Sequence, residues 1–173
     1  VLIDIIAETG AMPVFWNRRY GSAKRAIDTD LKAMLRKGEM DVATFNGRLL
    51  TEPWDITTGA STPYKVFTPY WKALKSTYRA PPVLAAPKAL SGPVLKSQAI
   101  ESLSLQPTNP DWSGGLEATW HPGEAGAIER LWEFLEGSIN TYAQDRNRPD
   151  LEGGTSRLSP HLHFGEISPA QVW

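Results

Sequence analysis

The chain contains no cysteine. Disulfide scaffolds, thiolate-ligated zinc and thiol nucleophiles are therefore excluded. Histidine is scarce too, at three residues. Two of them form the pair His161 and His163, which on a helix point to different sides, so a zinc site is not expected. There is no excess of charge of either sign. Eighteen Lys+Arg stand against nineteen Asp+Glu, a net charge of −1, and composition announces no global basic field for a nucleic acid. No run of about 18 uncharged apolar residues occurs, so no segment is suited to cross a membrane as a helix. P-loop, G-x-G-x-x-G and G-x-S-x-G motifs and a Ser-His-Asp order are also missing.

What is present is an ordinary globular composition, 41% hydrophobic and 21% charged, with seven Trp, fourteen Pro and fourteen Gly. By length alone, 173 residues read as one domain, since domains usually run about 100–200 residues. Such a chain would bury roughly two-thirds of its unfolded surface. Val1 opens inside an amphipathic pattern, and Trp173 stands just after the helix-start signal Ser168-Pro169. The expectation is an internal fragment of something longer. Most of the tryptophans fall on apolar faces and are expected to pack in a core; Trp112 and Trp120 are the least explained.

The first part alternates helix and strand. Residues 1–9 read as a helix stopped by Gly10, and Pro13-Val14-Phe15-Trp16 as a buried strand. Ser22 offers an N-cap to a helix with Ile27, Leu31, Met34 and Leu35 on one face. Lys24–Asp28 and Asp28–Lys32 place opposite charges four residues apart on its outer face. Gly38 ends it, and Val42-Ala43-Thr44-Phe45 follows as a second strand. This is the size of a βαβ unit in a parallel sheet. Thr51 to Pro63 read as loop, then Val66, Phe67, Tyr70, Trp71 and Leu74 line one helical face, with Pro69 tolerable only in the first turn.

Residues 80–115 carry Pro81-Pro82, Pro87, Gly92-Pro93, Pro107, Pro110 and Gly114-Gly115, a linker composition. After it, a single helix beginning near Pro122 is expected, with Ile128, Leu131, Trp132, Leu135, Ile139 and Tyr142 on one apolar face. Nothing beyond residue 123 reads as strand.

The stretch with chemistry in it is Gly153-Gly154-Thr155-Ser156-Arg157-Leu158-Ser159-Pro160. Three hydroxyls stand beside two glycines, and Ser159-Pro160 has the pattern of an N-cap followed by proline at the first helical position. Free N–H groups, a helix dipole and Arg157 would then surround an anion such as phosphate or pyrophosphate. The same residues would equally serve to turn a loop and cap a helix, and residue types alone leave the two readings open.

Four stretches together resemble the DNA photolyase/cryptochrome family, most closely its cyclobutane pyrimidine dimer photolyases. They are Val14-Phe15-Trp16-Asn17-Arg18-Arg19-Tyr20, residues 62–71 (Thr62-Pro63-Tyr64 to Tyr70-Trp71), Trp120-His121-Pro122-Gly123-Glu124, and residues 154–169 (Gly154-Thr155-Ser156-Arg157-Leu158-Ser159-Pro160 to Ser168-Pro169). They occur in the family's order from one end of the chain to the other. The resemblance implies an α/β fold, part of a parallel-sheet Rossmann-like antenna domain over residues 1–80. It implies an interdomain linker at 81–120 and the start of an all-α FAD-binding domain at 121–173.

It also implies FAD as cofactor, with phosphates on Thr155, Ser156, Arg157, Leu158 and Ser159 and a further contact from Tyr142. Arg146 would approach damaged double-stranded DNA containing pyrimidine dimers. The implied reaction is light-driven repair by a deoxyribodipyrimidine photo-lyase: excited reduced flavin donates an electron, the cyclobutane ring splits, and the electron returns. No general acid or nucleophilic side chain is needed, and the protein's task is placement. An antenna chromophore of folate or deazaflavin type would accompany the flavin. Ala23 and Lys24 stand where folate-binding members have Asn and Glu, which departs from the familiar folate contacts. The parent is expected to be monomeric and cytoplasmic, with no membrane partner. The alternatives are a cryptochrome-type blue-light photoreceptor and an inactive truncated fragment.

Overall fold

In a computed structural model, which describes residues 1–82 and 84–173, the chain divides into two compact units. The first is made mainly of residues 1–84 together with 168–171 and 173; the second is made mainly of residues 85–167.

The first unit opens with helix α1, Leu2–Thr9, which ends at Gly10 with φ of 64°. Strands β1, Val14–Asn17, and β2, Val42–Phe45, pair in parallel, with Val14 opposite Val42 and Asn17 opposite Phe45. The connection between them is helix α2, Ser22–Lys37. A parallel pair requires such a crossover, and the alternating helix and strand patterns of this stretch are what form it. Helix α3, Phe67–Thr77, accommodates Pro69 in its first turn. Leu35, Val42 and Leu74 are the buried apolar residues of this unit.

Two expectations for this unit and one for the whole chain need correction. Ser22 lies inside α2 and Gly21 is the N-cap, with no side-chain cap bond. Asp28 pairs with neither Lys24 nor Lys32: the Arg19 guanidinium grips it, Nε lying 3.1 Å from Oδ1. A planar guanidinium fits a carboxylate with two parallel bonds, which the lysines on the same helix do not offer. The tryptophans are not core residues. Trp54, Trp112, Trp132 and Trp173 are each at least half exposed, and Trp16, Trp71 and Trp120 are half-buried.

The second unit is helical. Within the stretch 81–120, a 3-10 turn forms at Ile100–Leu103 and helix α4 at Gly114–Thr119; Val83 lies outside the described residues. Helix α5, Glu124–Glu136, starts after Gly123, so Pro122 stands outside it. It is shorter than the apolar pattern suggests: Gly137, with φ −117° and ψ −91°, breaks it. A 3-10 turn, Ser138–Asn140, and short helix α6, Tyr142–Asp145, follow. Helix α7, Ser159–Phe164, ends this unit, and the last helix of the chain, α8, Pro169–Val172, falls mainly in the first. Ser168 caps α8 through a reciprocal pair of bonds with Gln171.

The inward face of α5 also differs from expectation. Ile128, Trp132 and Leu135 are exposed, whereas Ala127 is fully buried and Arg130, Leu131 and Phe134 are half-buried. Gly126 explains the rotation. A Cβ there would sit 1.9 Å from the His121 carbonyl oxygen, so the missing side chain lets the preceding turn close onto this side of the helix.

Leu74 is 1% exposed. Leu74→Ala should lower unfolding free energy by about 2–5 kcal/mol, measured by urea denaturation; a change within 0–1 kcal/mol, roughly that of a surface site, would show that α3 adds little to the core.

Candidate functional site

The hydroxyl-rich loop of the second unit is held at both ends by packing. Gly154 is buried, and a Cβ on it would lie 2.9 Å from the Asp145 carbonyl oxygen. Any side chain there would push the loop off α6. At the other end Leu158 is 3% exposed and forms the core with Ala127 and Ile167. Between these anchors Thr155 is exposed, and Ser156 and Arg157 are half-buried.

Ser159 and Pro160 shift by one position from the expected cap. Leu158 is the N-cap of α7, Ser159 is the first helical residue and no side-chain cap bond forms. The capping reading of this loop therefore fails for Ser159. Among the described residues, the hydroxyls of Thr155, Ser156 and Ser159 make no hydrogen bond. The backbone N–H groups of residues 155–158 likewise donate to no described partner. Thr155 and Ser159 are exposed and Ser156 is half-buried, so a concentration of accessible donors is the chemical feature of the loop. Leu158 would contribute through its N–H alone, since its side chain is in the core.

Arg157 has φ of 53°, an uncommon value for a residue with a Cβ. Its guanidinium carbon lies 4.9 Å from the centre of the Trp120 ring, and Nη1 is 3.9 Å from Glu152 Oε1. Trp120 in turn meets the His161 ring edge-to-face at 6.2 Å. His161 is 3% exposed, and its Nδ1 lies 2.6 Å from Glu166 Oε2. Trp120 and His161 carry no signal in periodicity; the motif stretches in which they stand were the only pointer to them.

Tyr142 and Arg146 lie together. The Tyr142 ring packs edge-to-face on Phe134 at 5.6 Å, and the Arg146 guanidinium sits 5.6 Å above the Tyr142 ring. Both side chains are exposed. The contact of Gly154 with Asp145 ties their helix to the start of the hydroxyl loop, so the predicted site residues fall in one region of the second unit.

The first unit holds a separate cavity of about 440 Å³ beside the residues that follow the strands, lined by Trp16, Arg18, Arg19, Lys32, Thr44 and Trp54 among others. Sites at the carboxyl ends of parallel strands are a general property of such sheets. The Trp16 indole nitrogen is buried and has no partner among the described residues. Glu52, 7% exposed, accepts hydrogen bonds from Arg18 and from the Tyr20 hydroxyl at 2.9 Å. Burial, reinforced by the neighbouring Glu52 carboxylate, pushes the Tyr20 hydroxyl up from its ordinary pKa.

A family model described as DNA photolyase matches residues 1–89. The chain belongs to the DNA photolyase family. It is 42% identical over its whole length to the deoxyribodipyrimidine photo-lyase of Agrobacterium fabrum, of which it spans 36%. It is 34% identical, over 99% of its length, to cryptochrome-1 of Arabidopsis thaliana, of which it spans 25%. The crystal structure of a bacterial class III photolyase from Agrobacterium tumefaciens matches 99% of the chain with a TM-score of 0.90 and 43% identity, over 36% of that protein. The chain thus spans about a third or less of these relatives' length. Its fold class is that of photolyases: a parallel α/β unit followed by a helical one. None of the described helices is long and apolar enough to cross a membrane.

The Glu166 carboxyl is held below its usual range, chiefly by the hydrogen bond from His161. A carboxylate with a depressed folded pKa stabilises fully above its unfolded value, about 4.3, and loses that contribution as pH falls through the folded value. The thermal midpoint of the chain should therefore exceed that of Glu166→Gln at neutral pH, and the gap should close below about pH 4. A gap that stays constant down to about pH 3 would show that the Glu166 carboxylate is not what stabilises this corner.

Proposed function

We propose that the chain serves light-driven DNA repair, splitting cyclobutane pyrimidine dimers by electron transfer from excited reduced FAD, within a longer deoxyribodipyrimidine photo-lyase. The observation that carries this reading is the donor set of residues 155–159. Three hydroxyls and a run of backbone N–H groups, none used among the described residues, fit the oxygens of a diphosphate. A relative 42% identical to this chain bears the name of that lyase.

Thr155, Ser156 and Ser159 would donate to the FAD phosphates through their hydroxyls, and Arg157 and Leu158 through their N–H groups. Tyr142 would border the cofactor, and Arg146, over the Tyr142 ring, would meet a phosphate of the damaged duplex. When bound, the flavin supplies the photoexcited electron that opens the cyclobutane ring. The side chains in this chain bind and orient, and none is required to move a proton. Residues 1–80 would form the antenna domain, 81–120 the interdomain crossing and 121–173 the opening of the FAD domain. The strand-end cavity, with Trp16 and Trp54 in its lining, would seat the antenna chromophore. A dimer reaches a buried flavin by leaving the helix, at a few kcal/mol roughly, less for a poorly stacked lesion. The protein would act in the cytoplasm.

The second reading is a cryptochrome-type photoreceptor using the same pocket, and the 34% identity to a plant cryptochrome favours it. Blue light on a thymine-dimer oligonucleotide with the full-length parent decides between them. Loss of dimer in the light and not in the dark is expected; bound FAD without dimer loss would leave the photoreceptor. In the same parent, Ser156→Ala and Ser159→Ala should each weaken FAD binding by about 1 kcal/mol or somewhat more, read from flavin fluorescence on release. Unchanged affinity in both would remove the diphosphate assignment.

A further inference from the structure

We propose that Trp120 is a positioning residue for the hydroxyl loop: its indole face carries the Arg157 guanidinium, and that contact holds Arg157 in the backbone conformation that leaves the donors of residues 155–158 free for an anion. The proposal rests on the diphosphate reading of that loop and assigns to Arg157 a part other than that of a direct anion ligand.

Arg157 adopts φ of 53°, and Leu158 after it is right-handed with φ −80° and ψ −9°. A left-handed residue beside a right-handed one turns successive N–H groups toward a common concavity, which is an anion-binding shape. A residue with a Cβ resists the left-handed state, so something outside the backbone has to hold it. The Arg157 side chain offers two contacts. Glu152, at 3.9 Å, is 93% exposed, and an ion pair so open to water contributes little. Trp120, at 4.9 Å from the guanidinium carbon, is half-buried, and a cation over an indole face is attracted more strongly when partly desolvated.

The indole is itself anchored. His161 stands against its ring, and His161 is buried and bonded to Glu166. The guanidinium therefore lies on a fixed surface, its carbon 4.9 Å from the ring centre and its Nη1 3.9 Å from Glu152. The geometry assigns Arg157 the part of a strut.

The test is a titration of the 173-residue chain with inorganic pyrophosphate, followed by the backbone amide resonances of residues 155–159. In the unaltered chain these should shift saturably. Trp120→Leu and Arg157→Ala should each weaken the fitted affinity about five-fold, the equilibrium equivalent of a partly buried cation–π contact. The double variant should be no weaker than either single one, because both remove the same contact. Arg157→Gly, which enters the left-handed state without a strut, should bind within about two-fold of the unaltered chain. Trp120→Phe, which keeps an aromatic face, should do the same.

Pyrophosphate affinity lost in Arg157→Ala but intact in Trp120→Leu would overturn the proposal and make Arg157 a direct ligand. Equal losses in Arg157→Ala and Arg157→Gly would overturn it too. If Trp120→Leu does not fold, the comparison of Arg157→Ala with Arg157→Gly still decides. Absence of any saturable shift at 155–159 in the unaltered chain would instead remove the diphosphate reading, and this proposal with it.

Discussion

A loop whose donors are left unpaired must be held by something other than its own hydrogen bonds. In residues 154–159 the hold is steric and apolar at the two ends. Gly154 lies against the Asp145 carbonyl where no Cβ fits, and Leu158 is sunk in the core with Ala127 and Ile167. Gly154 N–H is taken up by the Leu151 carbonyl at 3.3 Å, and neither anchor uses a donor of residues 155–157. The hydroxyls and N–H groups between them therefore remain available, and the ordering cost of the segment falls on folding and not on binding. The rest of the second unit follows from this requirement: α6 supplies the carbonyl wall, α5 turns its small residues inward, and His161 with Glu166 fixes the far side.

The fold was legible where a pattern had one physical meaning. Val14 to Asn17 and Val42 to Phe45, separated by a helix with a 3.6-residue period, can hardly form anything but a parallel crossover, and they do so in register. The reading failed where periodicity was blind to backbone detail. Ile128, Trp132 and Leu135 look like a core stripe, yet the helix rotates because Gly126 lets the His121 carbonyl approach. The same stripe runs through Ile139 and Tyr142, but Gly137 interrupts it. Hydrophobic spacing records which residues tolerate burial; a missing Cβ decides which of them come close.

The site was legible in a different measure. Residue types alone placed the hydroxyls, the glycines and Arg157 in one stretch and left anion binding and capping open. Geometry bears on the capping reading alone: Ser159 sits inside α7 and caps nothing. The brace behind the loop was beyond pattern reasoning altogether. Trp120 is 37 residues away from Arg157 in sequence, and their contact is cation over ring, an attraction that leaves no periodic trace. Tyr142 and Arg146 are the intermediate case: the single turn of α6 and its C-cap bring them together, while Gly154 against Asp145 brings that helix to the loop.

Charge closes the comparison between the two candidate sites. In the first unit the guanidinium groups near the strand ends are spoken for: Arg18 by the buried Glu52, and Arg19 by Asp28. Asp28 is held below its ordinary carboxylate range, first by the Arg19 hydrogen bond, so it remains charged and the pair persists through neutral pH. Such a cavity offers oriented hydrogen bonds and aromatic walls, with Arg25 and Lys32 in its lining beside those two pairs. In the second unit the loop presents neutral hydroxyls and amides, and the nearest guanidinium has its face on an indole. Hydrogen bonds from neutral donors to a charged acceptor act over a single contact distance and are far less screened by salt than a long-range field. On the proposed reading, a chain of net charge −1 would hold a diphosphate through donors fixed in place and not through an excess of lysine and arginine.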